Sequence, residues 1–203
     1  MIRRIYWVIS AIGREISRED RLSITEGILL SCENMIKLNT DRKTSFEAFK
    51  EHLMGNNDSA LLGHKHFWRS DYTISRTDNY MTSVKTFSTR VRTTEVVNNE
   101  NTQGFYLPFG SNFIYVDGDE YLNIFPVWNW GRIPGTTSPV TDPGPRPANL
   151  GELGTTSFVG GCTDGTFGAT AFTLDFGGVK AKKAWFFFEK EYVALGTNIS
   201  GTN

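Results

Sequence analysis

The sequence predicts a mainly β chain, an antiparallel β-sandwich preceded by a short α-helical segment. Three observations carry that expectation. Apolar and polar residues alternate in short runs, most clearly in Val84-Lys85-Thr86-Phe87-Ser88-Thr89-Arg90-Val91, which has the period of a half-buried strand. Gly, Asn and Asp punctuate such runs at short intervals, as in an antiparallel sheet or sandwich. The chain is also rich in aromatics (13%) and in glycine (20 of 203 residues), which suits a β body with tight turns.

The elements follow in order. Ile2, Ile5, Val8, Ile9 and Ile12 fall at mixed or helical spacing and would leave an apolar face in need of a partner. Leu22, Ile24, Ile28, Leu29, Met35 and Ile36 suit a helix from about Ser23 to Lys37. A second helix is expected from Ser45 to Met54. Thr44-Ser-Phe-Glu47 has the form of a capping box, Phe46, Phe49 and Leu53 share a face, and Gly55 ends it. Beyond Ser59 the period becomes that of strands. They are predicted at Phe67-Trp68, Tyr72 to Ser75, Met81 to Val91, Gly104 to Leu107, Asn112 to Val116, Glu120 to Ile124, Phe158 to Gly160, Gly168 to Leu174, Ala184 to Glu189 and Tyr192 to Leu195. Asp117-Gly118 reads as a tight hairpin turn, and the Pro-rich stretch Ser138 to Gly154 as an extended loop. The change of period divides the chain into a helical lead, 1–56, and a β body, 57–203.

Composition limits the function classes. A net charge of −1 gives no bulk attraction to nucleic acid or to a membrane surface, so any anionic partner must be held locally. No run is long enough to span a bilayer, and Met1 to Ile9 lacks the apolar core and small residues of a cleavable signal. Cys32 and Cys162 lie far apart without C-x-x-C or histidine ligand spacing, so two free, buried thiols are expected and no metal or cofactor.

The candidate site is the stretch Thr94 to Leu107, where a strand stops and sets Glu95, Asn98, Glu100 and Asn101 down in one short loop. Such a cluster is either a polar hairpin turn or a rigid scaffold presenting hydrogen-bonding groups. Arg14 and Arg18 are four apart and would share a helix face, either as a fork for a carboxylate or in pairs with Glu15 and Glu19. In Trp128-Asn-Trp130 both rings fall on one side of a β run, which is the pattern of a core; sugar stacking is the other use of such a pair. Lys180, Lys182 and Lys183 read as the solvated beginning of a strand, with a substrate rail as the alternative.

Taken together, Gly13-Arg-Glu-Ile-Ser-Arg18, His66-Phe-Trp-Arg-Ser-Asp-Tyr72, Ser88-Thr-Arg90, Thr94 to Leu107, Phe125-Pro-Val-Trp-Asn-Trp-Gly-Arg-Ile-Pro-Gly-Thr-Thr137 and Lys182 to Gly196 resemble polysaccharide lyase family 8, the hyaluronan, chondroitin and xanthan lyases. The blocks occur in family order along nearly the whole chain. The resemblance implies a galactose-mutarotase-like central β-sandwich that continues beyond Asn203, with 1–56 as the end of a helical toroid. On that reading the chain is a fragment.

Elimination across C4 and C5 of a uronic acid needs the carboxylate neutralised, the C5 proton removed and the departing oxygen protonated. By resemblance, Arg14 falls on the family's catalytic arginine and Arg18 on the second arginine of that motif. Glu95 and Asn98 fall on its E-x-x-N pair, the glutamate orienting the catalytic groups and the asparagine lining the cleft. The family's proton-transfer tyrosine and its histidine lie ahead of the Arg motif, where this chain has no match. The chain alone is therefore expected to be inactive. Where some members place calcium ligands this sequence has Asn129 and Gly131, so no metal is expected. The implied partner is an acidic polysaccharide, chondroitin, hyaluronan or similar, and the implied location is secreted or periplasmic. Self-association through exposed strand edges is a further expectation. The alternative function is a non-catalytic carbohydrate-binding or scaffolding sandwich.

Overall fold

The computed structural model describes residues 18–56, 62–96, 99, 102–121, 124–141 and 144–202, with 18–25 as backbone only. The isoleucines of the first twelve residues lie outside it.

Two helices lead, α1 (Arg18–Lys37) and α2 (Lys43–Leu53). They pack together, and the Lys50 ammonium meets the Glu33 carboxylate at 2.9 Å. The helix expected from Ser23 begins five residues earlier, at Arg18. The capping box does not form. The Lys43 N–H is already bonded to Thr40 O (2.9 Å), which starts α2 upstream, leaves Thr44 inside its first turn and gives the terminus no side-chain cap. The other end is as the sequence implies. Gly55, at φ 85°, bonds to His52 O (3.1 Å), and Asn56 bonds to Glu51 O (2.9 Å), the paired bonds of a Schellman stop.

The rest is two four-stranded antiparallel sheets, each with its strands in sequence order. The first holds β1 (Gly63–Phe67), β2 (Tyr72–Arg76), β3 (Met81–Lys85) and β4 (Ser111–Tyr115). The second holds β5 (Val159–Thr163), β6 (Gly168–Phe176), β7 (Val179–Phe187) and β8 (Tyr192–Gly201). Residues 72–75 and 81–84 are buried without alternation, so β2 and β3 are covered on both faces. The Thr73 and Thr170 hydroxyls meet between the sheets at 2.9 Å. An aromatic cluster fills the space beside them, with Phe87 at 5.2 Å from Phe109 and 5.6 Å from Phe172, ring centre to ring centre.

Several strand expectations change. The run to Val91 is strand only as far as Lys85, because Thr86 turns to bond Asp71 O through both its N–H (3.0 Å) and its hydroxyl (2.9 Å). Gly104 to Leu107 is a turn whose apolar side chains still enter the core, with Leu107 N–H bonded to Gly104 O. No hairpin forms at Asp117-Gly118 among the described residues. There the Glu120 carboxylate accepts backbone N–H groups of Val116, Asp117 (2.7 Å) and Gly118 (2.8 Å), making a compact turn. Burial pushes the Glu120 carboxyl up, but hydrogen bonds from backbone N–H groups outweigh it and hold it below its ordinary value.

β7 starts at Val179, ahead of the expected Ala184, so Lys180 and Lys182 alternate outward while Lys183 turns into the core. Lys183 is therefore not solvated. Its ammonium bonds Gly135 O and Phe109 O (3.4 Å) and sits 5.2 Å from the Trp185 ring centre. Both cysteines are free, but Cys162 is exposed on edge strand β5 and only Cys32 is buried. Trp128 and Trp130 stack at 5.7 Å and pack half-buried against the core, but they follow a 3-10 turn at Phe125–Val127 and do not lie in the β run the sequence suggested. Among the described residues no helix is long and apolar enough to cross a membrane.

Candidate functional site

Glu95 is carried by an extended stretch that another loop holds in place. Thr93 N–H bonds Glu152 O (2.8 Å), Glu152 N–H bonds the Thr93 hydroxyl (2.9 Å) and Val96 N–H bonds Asn149 O (3.2 Å). Gly151 makes this closeness possible. Its φ is +66°, and a Cβ there would lie 2.5 Å from Thr93 O. Thr94 and Val96 turn inward, so Glu95 between them turns out to solvent.

Glu95 lines a cavity of about 340 Å³ with Arg69, Ser70, Lys85, Arg92, Thr94, Leu107, Pro108 and Leu150 among its neighbours. That volume is within the roughly 300–1,000 Å³ of small-ligand sites. Lys85 ends β3 with its ammonium bonded to Ser70 O (2.9 Å) and Thr86 O (2.5 Å). Burial lowers its pKa to about 8 against the opposing pull of Asp71, which leaves it largely cationic at neutral pH. Arg92 donates to Gly151 O (3.0 Å), and Arg69 lies 5.0 Å from the Trp68 ring centre.

Next to Ser70 in the chain, a buried carboxylate is paired with a partly exposed arginine. Asp71, fully buried at φ 45°, meets Arg90 Nη2 at 3.3 Å, and Arg90 also donates to Ser157 O (3.0 Å) and Val159 O (3.3 Å). Arg90 thereby ties the β1–β2 turn to the strand opening the second sheet. A larger cavity, about 670 Å³, lies on the second sheet among Phe158, Phe186, Leu195 and neighbours. It has no acidic or histidine lining, whereas the smaller cavity has Glu95.

Of the four residues singled out from the sequence, Arg14 and Asn98 lie outside the described residues, as do Glu100 and Asn101. Arg18 is the first residue of α1. Glu95 is in the cavity wall. The sequence reading did not single out Arg69, Lys85 or Arg92 beside it. Lys85 and Arg92 stand in or next to the alternating run that enters the site, and that adjacency was the available signal.

The molecule is thus a mainly β, antiparallel sandwich with an outward carboxylate on a cation-rich wall. Residues 62–203 match the family model of the polysaccharide lyase family 8 super-sandwich domain, and the chain belongs to that family. It is 39% identical over 205 residues to a chondroitinase-AC from Pedobacter heparinus, across 98% of this chain and 29% of that protein. A xanthan lyase from Bacillus sp. (strain GL1) is 33% identical over 143 residues, across 68% of this chain and 15% of that one. A solved chondroitinase AC lyase, described with its oligosaccharide complexes, superposes with a TM-score of 0.70 at 37% identity, over 79% of this chain and 24% of that structure. The chain thus spans less than a third of the length of these relatives.

Proposed function

We propose that the chain is the central-domain part of a secreted lyase that breaks uronate-containing polysaccharides of the chondroitin or hyaluronan type by β-elimination. Residues 1–56 are the end of its helical domain and 57–203 the first part of its sandwich. Arg14 and Arg18 neutralise the uronate carboxylate, Asn98 lines the same cleft, and Glu95 orients the groups that act on C5 and the leaving oxygen. The observation that supports this reading most directly is Glu95, held outward on a braced extended stretch in a wall that also carries three cationic side chains. Neutralising the C6 carboxylate stabilises the carbanion-like transition state, where preorganised charge counts for most. The four residues named here bind and orient the substrate, and the proton transfer is assigned to none of them.

The test is electrophoresis of the chain through gels containing chondroitin, hyaluronan or xanthan, with ultraviolet absorbance of unsaturated uronates followed in parallel. Retention by a uronate polymer without an absorbance rise is expected. A rise would overturn the division of labour, and retention by none would overturn the polysaccharide reading.

A further inference from the structure

We propose that the cavity beside Glu95 is an oxyanion site in which Arg69, Lys85 and Arg92 hold the sulfo group of a sulfated acidic polysaccharide. The inference rests on the reading above of the chain as a binder of such polymers. Three of the lining side chains are cations and one, Glu95, is an acid, so the wall carries a net charge of +2. Among the described residues none of the three cations has a carboxylate within ion-pair distance. Asp71 also acts electrostatically on Lys85, and its ion-pair partner is Arg90.

The cations are also held in position. Arg69 lies over Trp68, Arg92 is bonded to Gly151 O, and Lys85 spends two of its three ammonium protons on the carbonyls of Ser70 and Thr86. One proton of Lys85 and the remaining N–H groups of both guanidinium forks are left for a ligand. A sulfate ester fits this set. It has three terminal oxygens for separate donors, and it stays ionised at every working pH. Leu150, exposed beside the cations, offers an apolar surface to the sugar that carries it.

The test uses the full 203-residue chain. Sodium sulfate is titrated against sodium chloride at matched ionic strength, with the indole N–H resonance of Trp68 and backbone amide resonances of the cavity wall as readouts. Gel retention is then compared for chondroitin sulfate and the same polymer chemically desulfated. Saturable shifts with sulfate but not chloride are expected, with tighter retention of the sulfated polymer. Arg92→Gln and Arg69→Gln should each weaken sulfate binding about tenfold, the usual cost of one charged hydrogen bond, and lower retention of the sulfated polymer more than that of the desulfated one, with the melting temperature of Arg69→Gln unchanged. Equal retention of both polymers with no response to Arg92→Gln overturns the sulfo site and leaves the broader reading in place. Retention of neither polymer overturns the broader reading and this inference with it.

Discussion

Arg90 and Asp71 show how single side chains support the fold. Asp71 is wholly buried and Arg90 partly exposed, so removing the guanidinium strands a buried carboxylate while the arginine itself was never deeply desolvated. Arg90→Met should therefore cost about 3–5 kcal/mol, read as a lowered denaturant midpoint. Asp71→Asn with Arg90 intact should cost less, since no charge is left buried. A second case is His64, between the sheets with both ring nitrogens unpaired and its ring 4.8 Å from that of Phe187. Burial, helped by neighbouring His66 and opposed by Asp164, lowers its pKa from 6.5 to about 4. The unfolded chain then takes up the proton first. Stability from this group is complete above pH 6.5 and is lost as pH falls from there towards 4. Melting temperature measured across that window should drop, and His64→Phe, which keeps the ring but removes the proton, should flatten the drop. At this scale the sequence was partly legible. Glu95 stood out because carboxylates and amides crowd one loop, whereas the burial of Asp71 and Lys183 depends on partners far away in the chain.

At the level of elements, the alternating and apolar runs located strands well and their ends poorly. β2 and β4 lie where the period predicts, and the full alternation of β7 was cut short because its first half is spelled with lysines. The run through Val91 reads as one strand because nothing in it announces that Thr86 will bond Asp71 O. Likewise Thr44-Ser-Phe-Glu47 carries a capping pattern that the upstream Thr40–Lys43 turn forestalls. The contact between the sheets depends on glycines whose reason is invisible in the sequence. A Cβ at Gly168 would lie 2.2 Å from His64 Cδ2, and one at Gly161 would lie 2.8 Å from His66 Cβ. Gly168→Ala must push β6 away from β1 and should cost about 1–3 kcal/mol in chemical unfolding. Gly160→Ala, on the same strand as Gly161 but with nothing within 4 Å of the added carbon, is its control and should be near neutral.

For the molecule as a whole, family blocks in order along the chain carried more than composition did, since a sandwich alone says nothing about uronates. The loop around Asn149 to Glu152 braces the extended stretch that carries Glu95, and the catalytic partners proposed for it come from the helical lead. That division is what the account claims. The most direct measurement replaces the matching stretch of the Pedobacter chondroitinase-AC with these residues and follows unsaturated uronate release from chondroitin. The account predicts a chimera that cleaves, and a Glu95→Gln version in which kcat falls on the order of 10²-fold, as for a misplaced reacting group, while KM and melting temperature hold. A folded chimera that cleaves equally well with glutamine at position 95 would contradict it.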